Sequence, residues 1–297
     1  MKTIYIQHPI SKALRDEAEE CVLALGFFDG VHMGHKQLIR AAKEVARQKN
    51  ITFAVMTFYP HPRDIIDSSQ SPMKYLTPLQ VKEERFKNMG VEKLIVVKFD
   101  PIFARLSHEE FVEAYIVGFR CQHVVAGFDY HYGYKGQGNM LLLKEQGRKR
   151  FDVTTISKVE HSYNKISSTA IRQLLAMGSA HDIPAYLGDY YEIRGRVKKS
   201  ASFYQTYRFA EILVDKEYML PVHGVYHVEV EIDNRVYKGV CQQISQHNDV
   251  QSLLLQLSNC SVDLSQKHVK VKWIQYIFGK QHAYDMNRYF LSGDLAM

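Results

Sequence analysis

The stretch GFFDGVHMGH, residues 26–35, joins a strand-like run to a helical pattern and decides the fold of the first part of the chain. Before it, residues 21–28 form a continuous apolar run, CVLALGFF, which is typical of a buried strand. After it, residues 36–49 place apolar side chains at helical spacing, with basic residues on the opposite face. A strand, a glycine-rich turn and a helix in this order predict the first unit of a parallel α/β sheet.

The same alternation continues to about residue 190. Helical patterns, such as residues 107–117, separate the strand-like runs of this region. These further runs are residues 51–58, 93–99, 121–126 and 151–159. Buried strands alternating with helices predict an α/β fold with a doubly wound, Rossmann-like parallel sheet, whose ligands bind at the carboxyl ends of the strands.

The rhythm changes after about residue 190, where short polar connections replace the helices. The strand-like runs of this part are residues 210–214, 224–232, 235–242, 252–257 and 269–277. Five or six strands at this spacing predict a small antiparallel β-barrel. We therefore predict two domains, residues 1–187 and 188–297, and either a terminal helix or a frayed tail from about residue 278.

Composition limits the function classes. The 297 residues contain no apolar run near the roughly 20 needed to span a bilayer, and residues 1–20 lack a signal-peptide core. The four cysteines form no CxxC pair, which disfavours a zinc or disulfide framework. The net charge of +6 suits a protein that handles phosphates but is too dispersed to indicate a nucleic-acid partner. We expect a cytoplasmic protein without a membrane partner; the sequence does not indicate its oligomeric state.

Two histidines at the predicted start of the first long helix form the strongest functional signal. His32 and His35 are three residues apart, so both can point the same way, beside the free N–H groups of a helix N-terminus. Gly34 between them removes a Cβ that would block the close approach of a phosphate. These donors suit a triphosphate, because negative charge on its phosphate oxygens increases as a P–O bond breaks. The alternative is that the histidines only cap the turn. The P-loop and dinucleotide glycine patterns are absent from the sequence.

A second candidate anion site is KISSTAIR, residues 165–172. Ser and Thr are favoured helix caps, and Arg172 lies one turn into the predicted helix, where its guanidinium suits a phosphate. Alone, this pattern is weak, since any capped helix shares it.

Together, HxGH early and SSTxIR late on a parallel α/β domain resemble the nucleotidylyltransferase superfamily, and more specifically the adenylyltransferase module of bacterial FAD synthetases. The resemblance rests on four blocks in this order: residues 26–35, 57–63 (TFYPHPR), 127–133 (GFDYHYG) and 165–178. It implies transfer of the adenylyl group of ATP to FMN, with release of pyrophosphate, and Mg²⁺ bridging the ATP phosphates without an assigned protein ligand.

The resemblance also implies roles for individual residues. The catalytic residues would be His32, His35, Ser168, Thr169 and Arg172. The ATP-binding residues would be these five together with Gly26, Phe27, Asp29, Gly30, Gly34 and Ser167. The flavin-binding residues would be Phe58, His61, Arg63, Asp129, Tyr130 and Tyr132. The two tyrosines could instead be core aromatics, and residues 60–62 could be only a structural turn.

In the family, the barrel that follows is normally a riboflavin kinase, which depends on a Gly-x-Pro-Thr-Ala-Asn segment and a later glutamate base. Here, aligning Ala210 with the motif's alanine puts Phe209 where threonine should be and Glu211 where asparagine should be, and residues 252–257 contain no glutamate. We expect a barrel that keeps its fold and has lost the kinase activity.

Two rival functions remain open from the sequence. The histidine and serine motifs would also serve adenylyl transfer to another phosphate-bearing acceptor, such as a pantetheine-type substrate. A non-catalytic flavin- or nucleotide-binding regulator is the alternative from another class.

Overall fold

The computed structural model describes residues 1–67, 69, 71–204, 207–247 and 250–279. The chain divides into two compact units, Met1–Ile166 and Ser167–Met297. The predicted domain boundary after residue 187 stays a prediction. Residues 205 and 206 and the predicted terminal segment beyond residue 279 lie outside the described residues.

The first unit is built on a six-stranded sheet in which every neighbouring pair is parallel. Its strands are β1 (Lys2–Ile6), β2 (Cys21–Leu25), β3 (Thr52–Tyr59), β4 (Lys93–Lys98), β5 (Cys121–Gly127) and β6 (Asp152–Ile156). Their order across the sheet is β1-β4-β3-β2-β5-β6. The helices are α1 (Lys12–Asp16), α2 (Met33–Lys49), α3 (Pro62–Ile66), α4 (Leu79–Asn88), α5 (His108–Phe111) and α6 (Met140–Gly147). A π-helical segment, Val112–Val117, continues α5, and a small hairpin of β7 (Glu160–His161) and β8 (Asn164–Lys165) follows β6. The predicted parallel α/β fold is confirmed.

Burial on both faces of the sheet explains the continuous apolar run of β2. Leu23 and Leu25 pack into a core on one face, while Val22 and Ala24 pack into a second core on the other. A strand covered on both sides by helices has no polar face, so no alternation of polar and apolar residues appears in its sequence.

Strand β1 was not predicted from the sequence. It has five residues, is mostly solvent-accessible and pairs only with β4, from Lys2 opposite Lys93 to Ile6 opposite Val97. An edge strand is stabilised by its neighbour in space, and a short partly exposed run carries little local signal.

The second unit contains a closed barrel of six antiparallel strands, which confirms the predicted barrel. It begins with two helices, α7 (Ser168–Met177) and α8 (Pro184–Leu187). The strands are β9 (Tyr191–Tyr204), β10 (Tyr207–Val214), β11 (Gly224–Ile232), β12 (Arg235–His247), β13 (Val250–Ser258) and β14 (His268–Gly279). Inside, the fully buried rings of Tyr226 and Trp273 meet edge to face with centroids 4.9 Å apart. Among the described residues of both units, no helix combines the length and apolarity needed to cross a membrane.

Candidate active site

A cavity of about 440 Å³ lies in the first unit where β2 and β5 end. The sheet order places it there, because β3 continues the sheet on one side of β2 and β5 on the other, and ligands bind at such a switch point. Its walls are largely aromatic, formed by Phe27, Phe28, Phe58, Phe99, Phe103, Phe111, Tyr130 and Tyr132. Its polar lining residues are His35, Asp129, His131 and Lys135.

The turn between β2 and α2 has an unusual backbone. Phe28, Gly30 and Val31 all have positive φ angles, of 58°, 81° and 45°, a conformation that non-glycine residues rarely adopt. The carboxylate of Asp29 holds the turn by accepting the backbone N–H groups of Leu76 and Thr77, at 3.2 and 3.0 Å. The predicted ATP-binding residue Asp29 is therefore buried and bonded to the backbone.

His32 and His35 lie at the first turn of α2, as predicted. His32 is the N-cap, and its Nδ1 accepts the N–H of His35 at 3.3 Å, which leaves its proton on Nε2. The two imidazoles are stacked, with centroids 3.6 Å apart and planes 16° from parallel. A Cβ on Gly34 would lie 3.2 Å from the His32 ring, so the glycine makes room for this stack. The histidines therefore form one unit of two rings.

Both histidines are neutral at pH 7. Burial lowers the pKa of His32 to about 4, although the nearby carboxylates of Asp29 and Asp129 raise it. Burial, helped by His32 and Lys82, holds the pKa of His35 well below its ordinary value. The Nδ1 atom of His35 is buried and has no hydrogen-bond partner among the residues that the structure describes. Neutral imidazoles that have lost solvent suit an incoming anion, whose charge would favour their protonation.

Asp129 extends from the end of β5 beside the cavity. Its carboxylate forms an ion pair with Lys165, from the end of β8, and the Lys165 ammonium lies 4.8 Å from the centroid of the Phe128 ring. Since Asp129 raises and Lys165 lowers the pKa of His32, all three groups share one electrostatic environment. The predicted Asp129 therefore lies at the histidine turn as well as at the cavity.

The other predicted flavin-binding residues separate into two groups. Phe58, Tyr130 and Tyr132 line the cavity. His61 instead caps α3 with its Nδ1 and places its ring edge-on to Phe27, with centroids 4.4 Å apart. Arg63 points its guanidinium to the carbonyl of Ser71, at 3.3 Å.

Tyr132 has the contacts of a core residue and also a face on the cavity. Its hydroxyl donates to Gln146 at 2.7 Å, its ring lies 5.3 Å from that of Phe111, and only 5% of it is exposed. The two interpretations of this tyrosine from the sequence are therefore compatible.

The second predicted anion motif begins the second unit. Ser167 is the N-cap of α7, and its hydroxyl accepts the N–H of Ala170 at 3.2 Å. Ser168 and Thr169 form the first turn, and Arg172 donates from Nη1 to the carbonyl of Ser168 at 3.4 Å. The predicted helix start is confirmed, and the roles of these residues toward a nucleotide stay predictions.

Sequence reasoning missed two side chains that hold the histidine turn from α4. Lys82 donates to the carbonyl of Phe27 at 2.7 Å, and Arg85 donates to the carbonyl of Gly30 at 3.0 Å. A signal for Lys82 existed in the sequence, because Leu79, Lys82 and Phe86 have helical spacing and place a lysine on the apolar face of α4.

Comparison with known proteins gives two family matches along the chain. The FAD synthetase family model matches residues 14–170, and the riboflavin kinase family model matches residues 187–287. The first match covers strands β2 to β6 of the parallel sheet, the cavity and the start of α7, and the second covers the barrel.

Relatives match over most of the chain. A protein of Bacillus subtilis named bifunctional riboflavin kinase/FMN adenylyltransferase is 40% identical over 81% of this chain and 77% of its own length. Proteins of the same name from Listeria monocytogenes and Escherichia coli are 37% and 33% identical, over 93% and 91% of this chain and 90% and 88% of their own.

A solved structure has the same overall fold. It is described as a macrolide-efflux protein from Streptococcus pneumoniae, and it superposes with a TM-score of 0.79 at 27% identity. The superposition covers 93% of this chain and 100% of that one. With the family match over residues 14–170 and a relative at 40% identity, the chain belongs to the FAD synthetase family of bifunctional riboflavin kinase/FMN adenylyltransferases.

Proposed function

We propose that the chain transfers the adenylyl group of ATP to FMN, forming FAD and pyrophosphate. The observation that carries this proposal is an aromatic cavity placed directly beside a stacked histidine pair. A flat apolar ring and a polyphosphate need these two environments side by side. Membership of the FAD synthetase family supports the same reaction.

In the proposed reaction, a phosphate oxygen of FMN attacks the α-phosphorus of ATP. A new P–O bond forms, the bond between the α-phosphorus and the bridging oxygen breaks, and pyrophosphate leaves with its electron pair. No protein nucleophile is needed, so catalysis consists of positioning and charge stabilisation. We assign His32 and His35 to the ATP phosphates, and Ser168, Thr169 and Arg172 to the departing pyrophosphate.

The cavity supports FMN as the acceptor. Its volume of about 440 Å³ lies in the range of small-molecule sites. We propose that Phe58, Tyr130 and Tyr132 pack against the flavin ring. Asp129 and His131 also line the cavity and would lie near the FMN phosphate. His61 and Arg63 would act from the adjoining α3.

We assign Mg²⁺ to the ATP phosphates rather than to a protein site. The two carboxylates at the site are engaged, Asp29 with backbone N–H groups and Asp129 with Lys165. The Mg²⁺ would supply charge neutralisation of the phosphates.

The test is an assay of the purified chain with ATP, Mg²⁺ and FMN, with FAD and pyrophosphate measured in the same sample. We expect the two products in equal amounts. Pyrophosphate release that requires a different phosphate-bearing acceptor, such as 4′-phosphopantetheine, would favour the rival transferase. Tight FMN binding without FAD in a single turnover would favour the regulator, and either result would refute the proposal.

We also propose that the barrel has lost riboflavin kinase activity. Phe209 cannot supply the hydroxyl ligand expected for Mg²⁺, and the carboxylate of Glu211 forms an ion pair with Lys198 at 3.0 Å. Directly across from Glu211 on β13 is Leu254, an apolar residue that cannot act as a base. The match to the riboflavin kinase family supports the fold of this unit and leaves its activity to experiment.

Incubation with riboflavin, ATP and Mg²⁺ tests the loss of the kinase. We expect no FMN and no ADP above the level of a control without protein. The Bacillus subtilis relative, assayed in parallel, shows that the conditions are suitable. Stoichiometric FMN and ADP from this chain would overturn the proposal without affecting the adenylyl transfer.

A further inference from the structure

Lys82 is a buried lysine beneath the histidine turn. Only 2% of it is exposed, and lysine is rarely buried to this degree unless it is paired. Its ammonium donates to the carbonyl of Phe27 at 2.7 Å and lies 4.3 Å from the centroid of the Phe27 ring. The hydroxyl of Thr57 donates to the same carbonyl at 2.9 Å. Two donors from two elements therefore fix one peptide group of the turn.

The direction of that peptide group matters for the site. The bond between Phe27 and Phe28 is trans, so the N–H of Phe28 points away from the carbonyl that Lys82 and Thr57 hold. Phe27 and Phe28 both line the cavity. Rotation of this peptide would move the rings and the backbone that leads to His32.

Lys82 also places a charge at the site. Its positive charge lowers the pKa of His35, which shows that the two groups interact. Burial lowers the pKa of Lys82 to about 8, although Asp29 raises it. A neutral donor could hold the carbonyl at a smaller desolvation cost, so the charge itself requires an explanation.

We propose that Lys82 is a positioning residue for the nucleotide: it holds the turn through the Phe27 carbonyl, and its buried positive charge attracts the ATP phosphates from beneath the histidine pair. The inference rests on the proposed adenylyl transfer. Charges interact strongly where water is excluded, so a buried cation that does not touch the phosphates still favours their binding.

The ionisation of Lys82 should therefore be coupled to ATP binding. An anion beside the site raises the pKa of the ammonium, so binding near pH 8 should be accompanied by proton uptake. The titratable or charged groups around Lys82, Phe27 and the turn are Asp29, His32, His35, His61, Tyr75 and Arg85. Of these, His32 and His35 would also gain protons, but their depressed pKa values place that uptake at lower pH.

Three variants separate the roles of Lys82. Lys82→Met removes the donor and the charge but keeps the volume, Lys82→Gln keeps an N–H donor without the charge, and Thr57→Val removes the other donor to the Phe27 carbonyl. Lys87→Met, an exposed lysine on the same helix, is the matched control. In Lys82→Met the Phe27 carbonyl keeps Thr57 as a hydrogen-bond donor, so the substitution does not leave this carbonyl unpaired.

We expect kcat/KM for ATP to fall by about 10- to 100-fold in Lys82→Met, as for other supporting residues around a site. In the wild-type chain, this parameter should decline above about pH 8 as Lys82 loses its proton. That decline should be absent from Lys82→Met and Lys82→Gln and should remain in Thr57→Val and Lys87→Met.

Calorimetry with α,β-methylene-ATP and Mg²⁺ at pH 8.5, in two buffers of different ionisation enthalpy, gives a readout that needs no turnover. We expect proton uptake by the wild-type chain and Lys87→Met, and none by Lys82→Met. Equal uptake in all three, or an unchanged alkaline decline in folded Lys82→Met, would overturn this inference even if the chain makes FAD. A wild-type chain that binds the analogue with proton uptake but makes no FAD would instead contradict the proposed function.

Discussion

At the residue scale, the stacked imidazoles of His32 and His35 are the feature most open to test. Both are neutral, and His35 carries a buried Nδ1 without a partner among the described residues. A buried polar atom of this kind costs free energy in the absence of a ligand. Under the proposed function, the bound phosphates would offset this cost.

Replacing His35 by alanine should lower the turnover of FAD formation by ~10²-fold or more, as removal of one preorganised oxyanion donor does in other enzymes. The melting temperature should change little. His181→Ala, an exposed histidine of the second unit, is the control. A folded His35→Ala variant with near wild-type turnover would show that the assigned role is wrong.

His32 should also contribute to the pH dependence of stability. Its pKa is about 4 in the folded chain and near 6.5 when unfolded, so the unfolded state takes up a proton first as the pH falls. The stabilisation is complete above pH 6.5 and is lost as the pH falls toward 4. From pH 7 to pH 5 this amounts to about 2 kcal/mol. The measurement is the free energy of unfolding by urea at pH 7 and at pH 5. His32→Asn, which keeps a capping acceptor, should lose less of this free energy than the wild-type chain between the two pH values. Equal losses in the two proteins would refute the assignment.

At the scale of elements, the first turn of α2 depends on the glycine between the histidines. Alanine at position 34 would favour the helix by up to ~1 kcal/mol. Its Cβ, however, would lie 3.2 Å from the His32 ring, which must then shift by a few tenths of an ångström. Helix stability and the geometry of the imidazole stack therefore oppose each other at this position.

We accordingly expect Gly34→Ala to keep or slightly raise the melting temperature while FAD formation falls by about tenfold, since a small misplacement of a positioned group costs rate. Arg40→Ala, an exposed change on the same helix, should leave both unchanged. Full activity in Gly34→Ala would show that the stack tolerates displacement.

At the scale of the whole molecule, we propose that the first unit is catalytically active and that the barrel of the second unit is not. If the barrel does not phosphorylate riboflavin, the chain depends on FMN made elsewhere. Mixing it with riboflavin and ATP should then yield FAD only after an active riboflavin kinase is added. The measurement is FAD by chromatography, with FMN as the positive control. FAD formed from riboflavin without the added kinase would contradict the proposed loss of kinase activity in the barrel.

The sequence alone allowed prediction of most strands of the sheet and barrel, the long helix α2 and the histidine turn, because each has a local signal. Long apolar runs, helical spacing and glycine positions depend on neighbours in the chain. It did not reveal β1, whose stability comes from pairing with β4. Nor did it reveal Lys82 and Arg85, which reach a turn more than fifty residues earlier in the chain.

What the sequence determined by itself is therefore the type of most long elements, though not of β9, and the residues that begin α2 and α7. Tertiary structure decided which carbonyls and rings those residues meet, the neutral state of the two histidines and the shape of the aromatic cavity. The physical reason is that burial and long-range hydrogen bonds depend on distances in space, which the packing of distant segments sets.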